Sequence, residues 1–290
     1  MEITRKFNWV SALDSTKKVL LEDLQQAMAN YYSGANNYYA DISFNENIWA
    51  DKNQKIQIDI ADELQKHETI LEVGCGKSAI LAAYPMLEKK YTGVDFSEVL
   101  MKTNKERFPG ANFGVLSNPV VFPYADESFD AIFSHFVIEH AVFPHLFLEE
   151  CVRVLKPGGQ FLLVCQDFMG YDGITSQRVG FSQGSGRDKI KQGKIADAIV
   201  TGFDSKYRLP NYCRKLKQAA KVSPLFMINL APTCFTDPFQ PDVDAVYVTN
   251  EEEMKAYIGQ FVKWDGLSDE VKAYRDNRHL IYIKGVKYQQ

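Results

Sequence analysis

The order of apolar and polar positions predicts strands that alternate with helices through the middle of the chain. Short apolar runs bounded by turn residues predict strands, which fall at residues 69–73, 91–94, 112–116, 129–134 and 160–165. Apolar residues spaced three or four apart predict helices at 78–88, 97–107 and about 139–155. Alternation of this kind is typical of a mostly parallel sheet with helices on both faces.

The pattern predicts further elements outside this series. Helices are expected at 14–34 and 54–67, before the first strand, and at 250–263, with a last strand at 279–287. The regular alternation stops after Asp167. Four units follow from this order: an N-terminal helical cap or lid at 1–67, a ligand-binding core at 68–168, an insertion at 169–244, and a segment completing the sheet at 245–290.

Composition narrows the class of protein. The chain has 290 residues, of which 46% are apolar and 24% charged, and its net charge is −4, all of which is ordinary for a soluble globular protein. The five cysteines form no CxxC pair, so a disulfide framework or zinc site is not expected. The N-terminus lacks the apolar core of a signal peptide, and no apolar run reaches roughly 18 residues. We therefore expect a cytoplasmic protein with no membrane segment.

The stretch ILEVGCGKSAI at residues 70–80 reads as a strand, a glycine turn and the start of a helix. Such turns hold ligands at the helix N-terminus, where free N–H groups and the helix dipole converge. Three ligands compete: a nucleoside triphosphate, a nicotinamide dinucleotide and S-adenosylmethionine. A triphosphate loop requires a glycine where this chain has Leu71.

A carboxylate decides between the other two ligands. Gly74, Gly76 and Ala79 fit the dinucleotide fingerprint, with Asp95 about 20 residues on. Glu72, however, precedes the first glycine by two residues, where its carboxylate would repel a pyrophosphate. The sulfonium and ammonium groups of S-adenosylmethionine would be attracted instead.

Residues 68–168 resemble the class I S-adenosylmethionine-dependent methyltransferases in four successive motifs. These are LEVGCGKS, YTGVDFS, the stretch SNPVVFPYADESFDAIFSHFVIEH, and VLKPGG. The resemblance implies a Rossmann-like, mostly parallel seven-stranded sheet, with an N-terminal helical cap and an insertion after strand five. It implies that S-adenosylmethionine is bound by Glu72, Gly74, Cys75, Gly76, Asp95, Phe96, Asn118, Pro119, Ser134 and His135. Asp95 would hold the ribose hydroxyls and Phe96 the adenine.

The chain departs from the family pattern at two positions. Ser78 replaces the third glycine, and we expect its hydroxyl to cap the following helix. Asn118 precedes Pro119 where the family often has an acid before a small residue. An asparagine carbonyl still accepts a hydrogen bond from the adenine amine, so we expect the donor to bind.

Candidate bases for a hydroxyl acceptor are His135, His140 and Asp167. An amine or an electron-rich carbon would need no base. The stretch HFVIEHAVFPH at 135–145 also suggests a metal site. The spacing of its His and Glu residues does not match His-x-x-Glu-His, so we expect no metal.

The acceptor is expected to bind outside the four motifs. Residues 171–221 contain eleven Lys or Arg but only four acids, which favours an anionic acceptor. The candidate substrate-binding residues are Tyr38, Tyr39, Arg178, Arg187, Arg208 and Arg214. We expect methyl transfer to a hydroxyl or amine of a small molecule, and no nucleic-acid partner. The alternatives are a methyltransferase acting on RNA or protein, and a non-catalytic donor- or dinucleotide-binding protein.

Overall fold

The computed structural model describes residues 8–33, 46–117, 120–169, 186–232 and 245–289. Their strands are β1 (Trp9–Ser11), β2 (Ile70–Val73), β3 (Tyr91–Asp95), β4 (Asn112–Val115), β5 (Phe129–His135), β6 (Leu155–Gln166), β7 (Met227–Asn229), β8 (Val262–Trp264) and β9 (Leu280–Lys287). The main sheet has the order β4-β3-β2-β5-β6-β9-β8, and β1 pairs with β7 in a separate two-stranded sheet.

The main sheet is parallel from β4 to β6, and β9 and β8 extend it in antiparallel pairing. The chain moves outward from β2 through β3 to β4 and then returns to form β5 on the other side of β2. The connections of β2 and β5 therefore diverge at their carboxyl ends. Open α/β sheets bind their ligands in the crevice at such a point.

The helices of the described residues are α1 (Lys18–Ser33), α2 (Lys55–Leu64), α3 (Ala79–Ala83), α4 (Glu98–Arg107), α5 (Pro144–Val154), α6 (Gly186–Lys191), α7 (Ile195–Phe203), α8 (Leu209–Ala220), α9 (Glu251–Ile258) and α10 (Asp269–Asn277). Short 3-10 helices lie at Ser15–Lys17, Glu46–Trp49, Pro85–Lys90 and Ile138–His140, and a π-helical turn at Asp204–Arg208 joins α7 to α8. No described helix has the length and apolar character that crossing a membrane requires.

Helices cover both faces of the sheet because successive strand residues point to opposite sides. Leu71 and Val73 of β2 belong to one apolar cluster, which also contains Phe147 of α5. Ile70 of the same strand belongs to a second cluster, which contains Ile60 of α2. Burying both faces explains the nearly continuous apolar runs that predicted these strands.

Three predicted helices differ from the observed ones. The helix expected at 78–88 ends at Ala83, because Pro85 starts a new 3-10 turn. The helix expected from about 139 begins at Pro144. The helix expected at 250–263 ends at Ile258 and is followed by strand β8. The α/β class and the mostly parallel sheet are confirmed.

The helices α6, α7 and α8 follow β6 and attach to the sheet through a third apolar cluster. Leu209 and Cys213 of α8 pack there with Phe168 and Met169, which come directly after β6. Trp9 of β1 belongs to the same cluster. This contact places the helical segment beside the carboxyl end of β6.

Candidate active site

The glycine turn and the end of β5 meet at the divergence of β2 and β5. Val73 and Ser134 are register partners at the carboxyl ends of these strands. The Ser134 hydroxyl donates to the Val73 carbonyl at 3.1 Å and is buried. The sequence therefore brings the first and third motifs together through the parallel pairing of their strands.

Both glycines of the turn have backbone angles that favour glycine. Gly74 has φ +73° and Gly76 has φ +49°. A Cβ on Gly74 would lie 2.3 Å from a methyl carbon of Val137, whereas one on Gly76 would meet nothing within 4 Å. Gly74 is thus required for close packing, and the space beside Gly76 is open.

The turn uses its own N–H groups within the protein. The amides of Gly74 and Cys75 both donate to the Val94 carbonyl, at 2.8 and 3.0 Å. The Gly76 amide donates to Asp95 Oδ2 at 2.9 Å. A phosphate-binding loop needs such groups free to point at the ligand. The amides of Gly74, Cys75 and Gly76 are therefore not free to hold a pyrophosphate.

Glu72 is held by a tyrosine from the neighbouring strand. The Tyr91 hydroxyl donates to Glu72 Oε2, and both side chains are buried. Gly93 is the register partner of Glu72, and a Cβ there would lie 2.9 Å from the Tyr91 ring. A glycine opposite Glu72 thus makes the space through which the tyrosine reaches the carboxyl group.

Ser78 contributes to the same network and does not cap α3. Its backbone is left-handed, with φ 51°, and its side chain makes no capping hydrogen bond. The expected cap is therefore wrong. Asn104 Nδ2 instead donates to Ser78 Oγ at 3.2 Å and to the Gly76 carbonyl at 2.8 Å. The left-handed backbone of Ser78 is a conformation that glycine adopts without strain.

Two buried carboxyl groups give the turn its electrostatic character. Burial raises the pKa of Glu72 to about 8; Tyr91 opposes the shift and the charge of Asp95 adds to it. Burial also raises the pKa of Asp95, against the lowering effect of the Ser97 and Gly76 amides. The ionised form of each group would gain from a cation placed beside it. The turn is therefore suited to a positively charged ligand.

The other predicted donor-binding residues of this region serve different purposes. The Cys75 side chain is buried, with its sulfur 3.8 Å from that of Met101. Only the backbone of Cys75 belongs to the glycine turn. The Phe96 ring is half-buried and packs against the first apolar cluster. Asn118 and Pro119 lie outside the described residues.

His135, the last residue of β5, contacts the segment that precedes β2. Its Nε2 lies 2.9 Å from Gln57 Nε2 of α2, and its ring centroid is 5.0 Å from that of Trp49. With the Gln57 amide donating to Nε2, the imidazole is neutral and carries its proton on Nδ1. Burial lowers the pKa of His135 to about 3, so this group is a weak base at neutral pH.

The histidines of the 135–145 stretch point to different neighbours. The His140 ring lies 5.7 Å from that of Tyr32, whereas the His145 ring lies 5.8 Å from that of Phe226. Within the described ranges, no three His, Cys, Asp or Glu side chains are grouped to hold a metal ion. Asp167 follows β6, and its amide donates to the His279 carbonyl at 3.0 Å.

The predicted substrate-binding arginines fall on the helical segment where they are described. Arg208 forms a 2.9 Å ion pair with the buried Asp204, and Arg214 donates to Asn211 Oδ1 at 2.9 Å. Arg187 lies in α6 and is exposed. The remaining candidates, Tyr38, Tyr39 and Arg178, lie outside the described residues.

Three residues of the site went unpredicted: Gln57, Tyr91 and Asn104. All three are buried polar or aromatic side chains with partners far away in the sequence. Only Tyr91 had a signal in the sequence. Gly93 lies opposite Glu72, and a glycine there could have suggested a large neighbour on the same strand. Oε1 of Gln57 is buried without a hydrogen-bond partner among the described residues.

Comparison with known proteins identifies the domain. Residues 71–163 match the model of a methyltransferase domain. A probable S-adenosylmethionine-dependent methyltransferase of Mycolicibacterium smegmatis is 28% identical over 139 residues, covering 48% of this chain and 49% of the relative. A demethylmenaquinone methyltransferase of Listeria welshimeri is 32% identical over 134 residues, covering 43% of this chain and 54% of the relative.

Among solved structures, a methyltransferase of Aquifex aeolicus is 15% identical with a TM-score of 0.44, covering 83% of this chain and 93% of that one. The match over the glycine turn and strands β2 to β6 shows that residues 71–163 form a methyltransferase domain, and this part of the chain is similar to S-adenosylmethionine-dependent methyltransferases. The chain spans about half the length of the curated relatives that it matches.

Proposed function

We propose that the protein transfers the methyl group of S-adenosylmethionine to a hydroxyl or amine of a small-molecule acceptor. The observation that carries the proposal is the chemistry of the glycine turn. Its amides are bonded to Val94 and Asp95, and two buried carboxyl groups flank it. Such a turn favours a cationic ligand over a phosphate.

In this proposal Glu72 and Asp95 hold the donor. Glu72 lies at the end of β2, where its carboxylate would attract the ammonium group of the donor. Asp95 lies at the end of β3 and would accept hydrogen bonds from the ribose hydroxyls while it fixes the Gly76 amide. The open space beside Gly76 leaves room for the donor to approach the backbone of the turn.

Bound S-adenosylmethionine would supply an activated methyl group, so the protein needs to contribute mainly orientation and exclusion of water. The end of β5 would face the acceptor, with His135 between Gln57 and Trp49. In the tautomer fixed by Gln57, Nδ1 of His135 carries the proton and can donate a hydrogen bond to a reactant. We therefore assign it to positioning the reactants, and leave His140 and Asp167 as the candidate bases.

A small-molecule acceptor is supported by the names of several relatives. Seven of the related sequences are demethylmenaquinone methyltransferases, one from Paenarthrobacter aurescens and six from Listeria strains, with identities of 30 to 32%. We take from them the size of the acceptor and not its identity. Methylation of RNA or protein stays the alternative, because the described part of the helical segment is basic.

The proposal is tested by incubating the protein with methyl-labelled donor and a metabolite extract. We expect label to appear in one small organic compound, in the presence of the protein and not of its Asp95→Asn variant. The Glu106→Gln variant, which changes an exposed carboxylate on α4, is the matched control and should transfer label like the wild type.

Two outcomes would contradict the proposal. Label recovered only in RNA or protein would replace the acceptor class with the alternative one. A protein that binds the donor but labels nothing, in extracts from several sources, would favour a non-catalytic binding protein.

A further inference from the structure

A stripe of large apolar side chains lies exposed on the helical segment. Ile195, Ile199, Phe203 and Tyr207 recur every fourth residue, and between 54% and 68% of each is exposed. Residues four apart share one side of a helix, so the four form a continuous row. Ile190 of α6, which packs against α7, is 58% exposed. We call these five residues the apolar stripe.

The stripe is distinct from the residues that these helices bury. The opposite side of the same helices buries Ala198 and Thr201 of α7 and Leu209 and Cys213 of α8. Leu209 and Cys213 belong to the third apolar cluster, whereas Thr201 accepts a 2.8 Å hydrogen bond from Lys189 of α6. The segment therefore has two apolar faces, of which one is buried in the protein and the other is exposed. An exposed apolar row of this length marks an interaction surface.

The surroundings of the stripe are strongly basic. Residues 186–221 contain ten Lys or Arg and three acidic residues, within a chain whose net charge is −4. Lys191 and Lys194 lie between Ile190 and Ile195, and Lys206 lies over the ring of Tyr207 at 5.6 Å. Apolar and cationic groups thus alternate along one exposed surface. The partner must therefore offer an apolar layer beneath negative charge.

We propose that the apolar stripe and its neighbouring lysines dock the protein on the surface of an anionic lipid bilayer. Helices that lie in a bilayer interface combine an apolar row with flanking Lys and Arg, which pair with anionic headgroups. A soluble protein partner would need a matching apolar groove with acidic edges. An anionic bilayer offers negative charge and an apolar layer over its whole surface, so it needs no groove that matches the stripe.

The first experiment measures sedimentation of the full chain with vesicles. One vesicle type contains phosphatidylcholine alone, and the other contains one part phosphatidylserine to two parts phosphatidylcholine. We expect binding to the anionic vesicles, weak binding to the neutral ones, and loss of binding as salt is raised. The change Lys191→Gln, Lys194→Gln and Lys206→Gln should lower the partition coefficient by about fivefold for each lysine.

Matched variants separate the surface from general effects of charge and polarity. Lys89→Gln, Lys102→Gln and Lys105→Gln remove the same charge from exposed positions elsewhere and should leave binding unchanged. The pair Ile199→Ser and Phe203→Ser should abolish binding. The pair Met86→Ser and Val99→Ser changes equally exposed apolar residues and should not.

A fluorescence reporter tests whether the stripe itself enters the interface. Phe203→Trp should show a blue shift on addition of anionic vesicles, whereas Met86→Trp should not. The wild type, with its three native tryptophans, supplies the background. This fluorescence measurement needs neither the methyl donor nor the acceptor, so its outcome is independent of the proposed methyl transfer.

Several results would overturn the inference. One is equal binding to both vesicle types, or binding that the stripe and lysine variants leave unchanged. Another is a blue-shifted Phe203→Trp signal without vesicles, which would mean that the protein itself or a second copy covers the stripe. Light scattering would then tell these two apart. If neither the wild type nor any variant sediments with the vesicles, docking on a bilayer is excluded as well.

Discussion

The two sides of the candidate active site, which we propose to bind the donor and the acceptor, are built in different ways. On the donor side, Gly76 is bonded to Asp95 and Asn104, which lie 19 and 28 residues away in the sequence. On the acceptor side, His135 is bonded to Gln57, which lies 78 residues away. The donor side is thus one compact strand–turn–strand–helix unit, whereas the acceptor side is assembled from distant segments. Spacing along the sequence therefore constrains the proposed donor side more closely than the proposed acceptor side.

The largest effect is expected from a substitution at Gly74, in the glycine turn of the donor side. Gly74→Ala places a Cβ against Val137 and forces alanine into a left-handed backbone. Strain and overpacking together should cost about 2–5 kcal/mol of unfolding free energy. Chemical denaturation measures this loss, and calorimetry should show donor binding lost as well.

Gly76→Ala is the matched control for this prediction. Its Cβ would meet nothing within 4 Å, so only the backbone strain of about 1–2 kcal/mol is expected. Equal losses in the two variants would show that the contact with Val137 does not matter.

The next effect concerns the charge of Asp95. Asp95→Asn keeps the size of the side chain but removes a carboxylate from two backbone donors and from the proposed ribose contact. We expect donor affinity to fall by about 1.5–3 kcal/mol, the scale of charged hydrogen bonds. Titration calorimetry measures it, with Glu106→Gln as the control. Wild-type affinity in Asp95→Asn would remove the ribose assignment.

A third prediction concerns pH and Glu72. The folded protein raises the pKa of Glu72 from 4.5 to about 8, so the folded state holds this proton more tightly than the unfolded state. The associated stability is full below about pH 4.5 and declines as pH rises to about 8. Glu72→Gln should remove that decline, and the difference between the two denaturation profiles measures it.

Donor binding should show the opposite trend. A cationic ligand favours the carboxylate of Glu72, so affinity should rise with pH up to about 8 and protons should be released on binding. Calorimetry in buffers with different ionisation enthalpies counts these protons. No release from the wild type, or equal release from Glu72→Gln, would separate Glu72 from the ligand.

The smallest effect tests the acceptor side. We expect ¹⁵N-histidine spectra to show His135 neutral, with its proton on Nδ1, from about pH 5 to about pH 8. Gln57→Glu brings a carboxylate to Nε2 and should raise the pKa of His135. Gln65→Glu makes the same change at an exposed position near the end of α2 and should not. A wild-type His135 that titrates near its ordinary pKa would restore it as a candidate base.

Much of the fold could be predicted from local pattern. The strands from β2 to β5 begin and end within one or two residues of the predicted bounds, because buried parallel strands are short apolar runs between turns. The misplaced helices have local causes: Pro85 ended one, and β8 followed another after a short turn. A single long helix and a shorter helix followed by a strand can show similar spacing of apolar residues, so the pattern alone does not distinguish them.

Less of the site could be predicted. The carboxylates of Glu72 and Asp95 were visible as motif residues, since each lies at the end of a strand that the apolar pattern predicts. The hydroxyl of Tyr91 and the amides of Asn104 and Gln57 reach their partners only through strand register and helix packing. These are long-range properties that the spacing of residues in one sequence does not encode.

The most direct test of the account is a calorimetric titration of the wild type with S-adenosylmethionine, its demethylated product and NAD. The acidic glycine turn predicts that the first two bind once per chain. It also predicts that NAD, which brings a pyrophosphate to Glu72 and to amides already bonded to Val94 and Asp95, does not bind. Tighter binding of NAD than of S-adenosylmethionine would contradict the account.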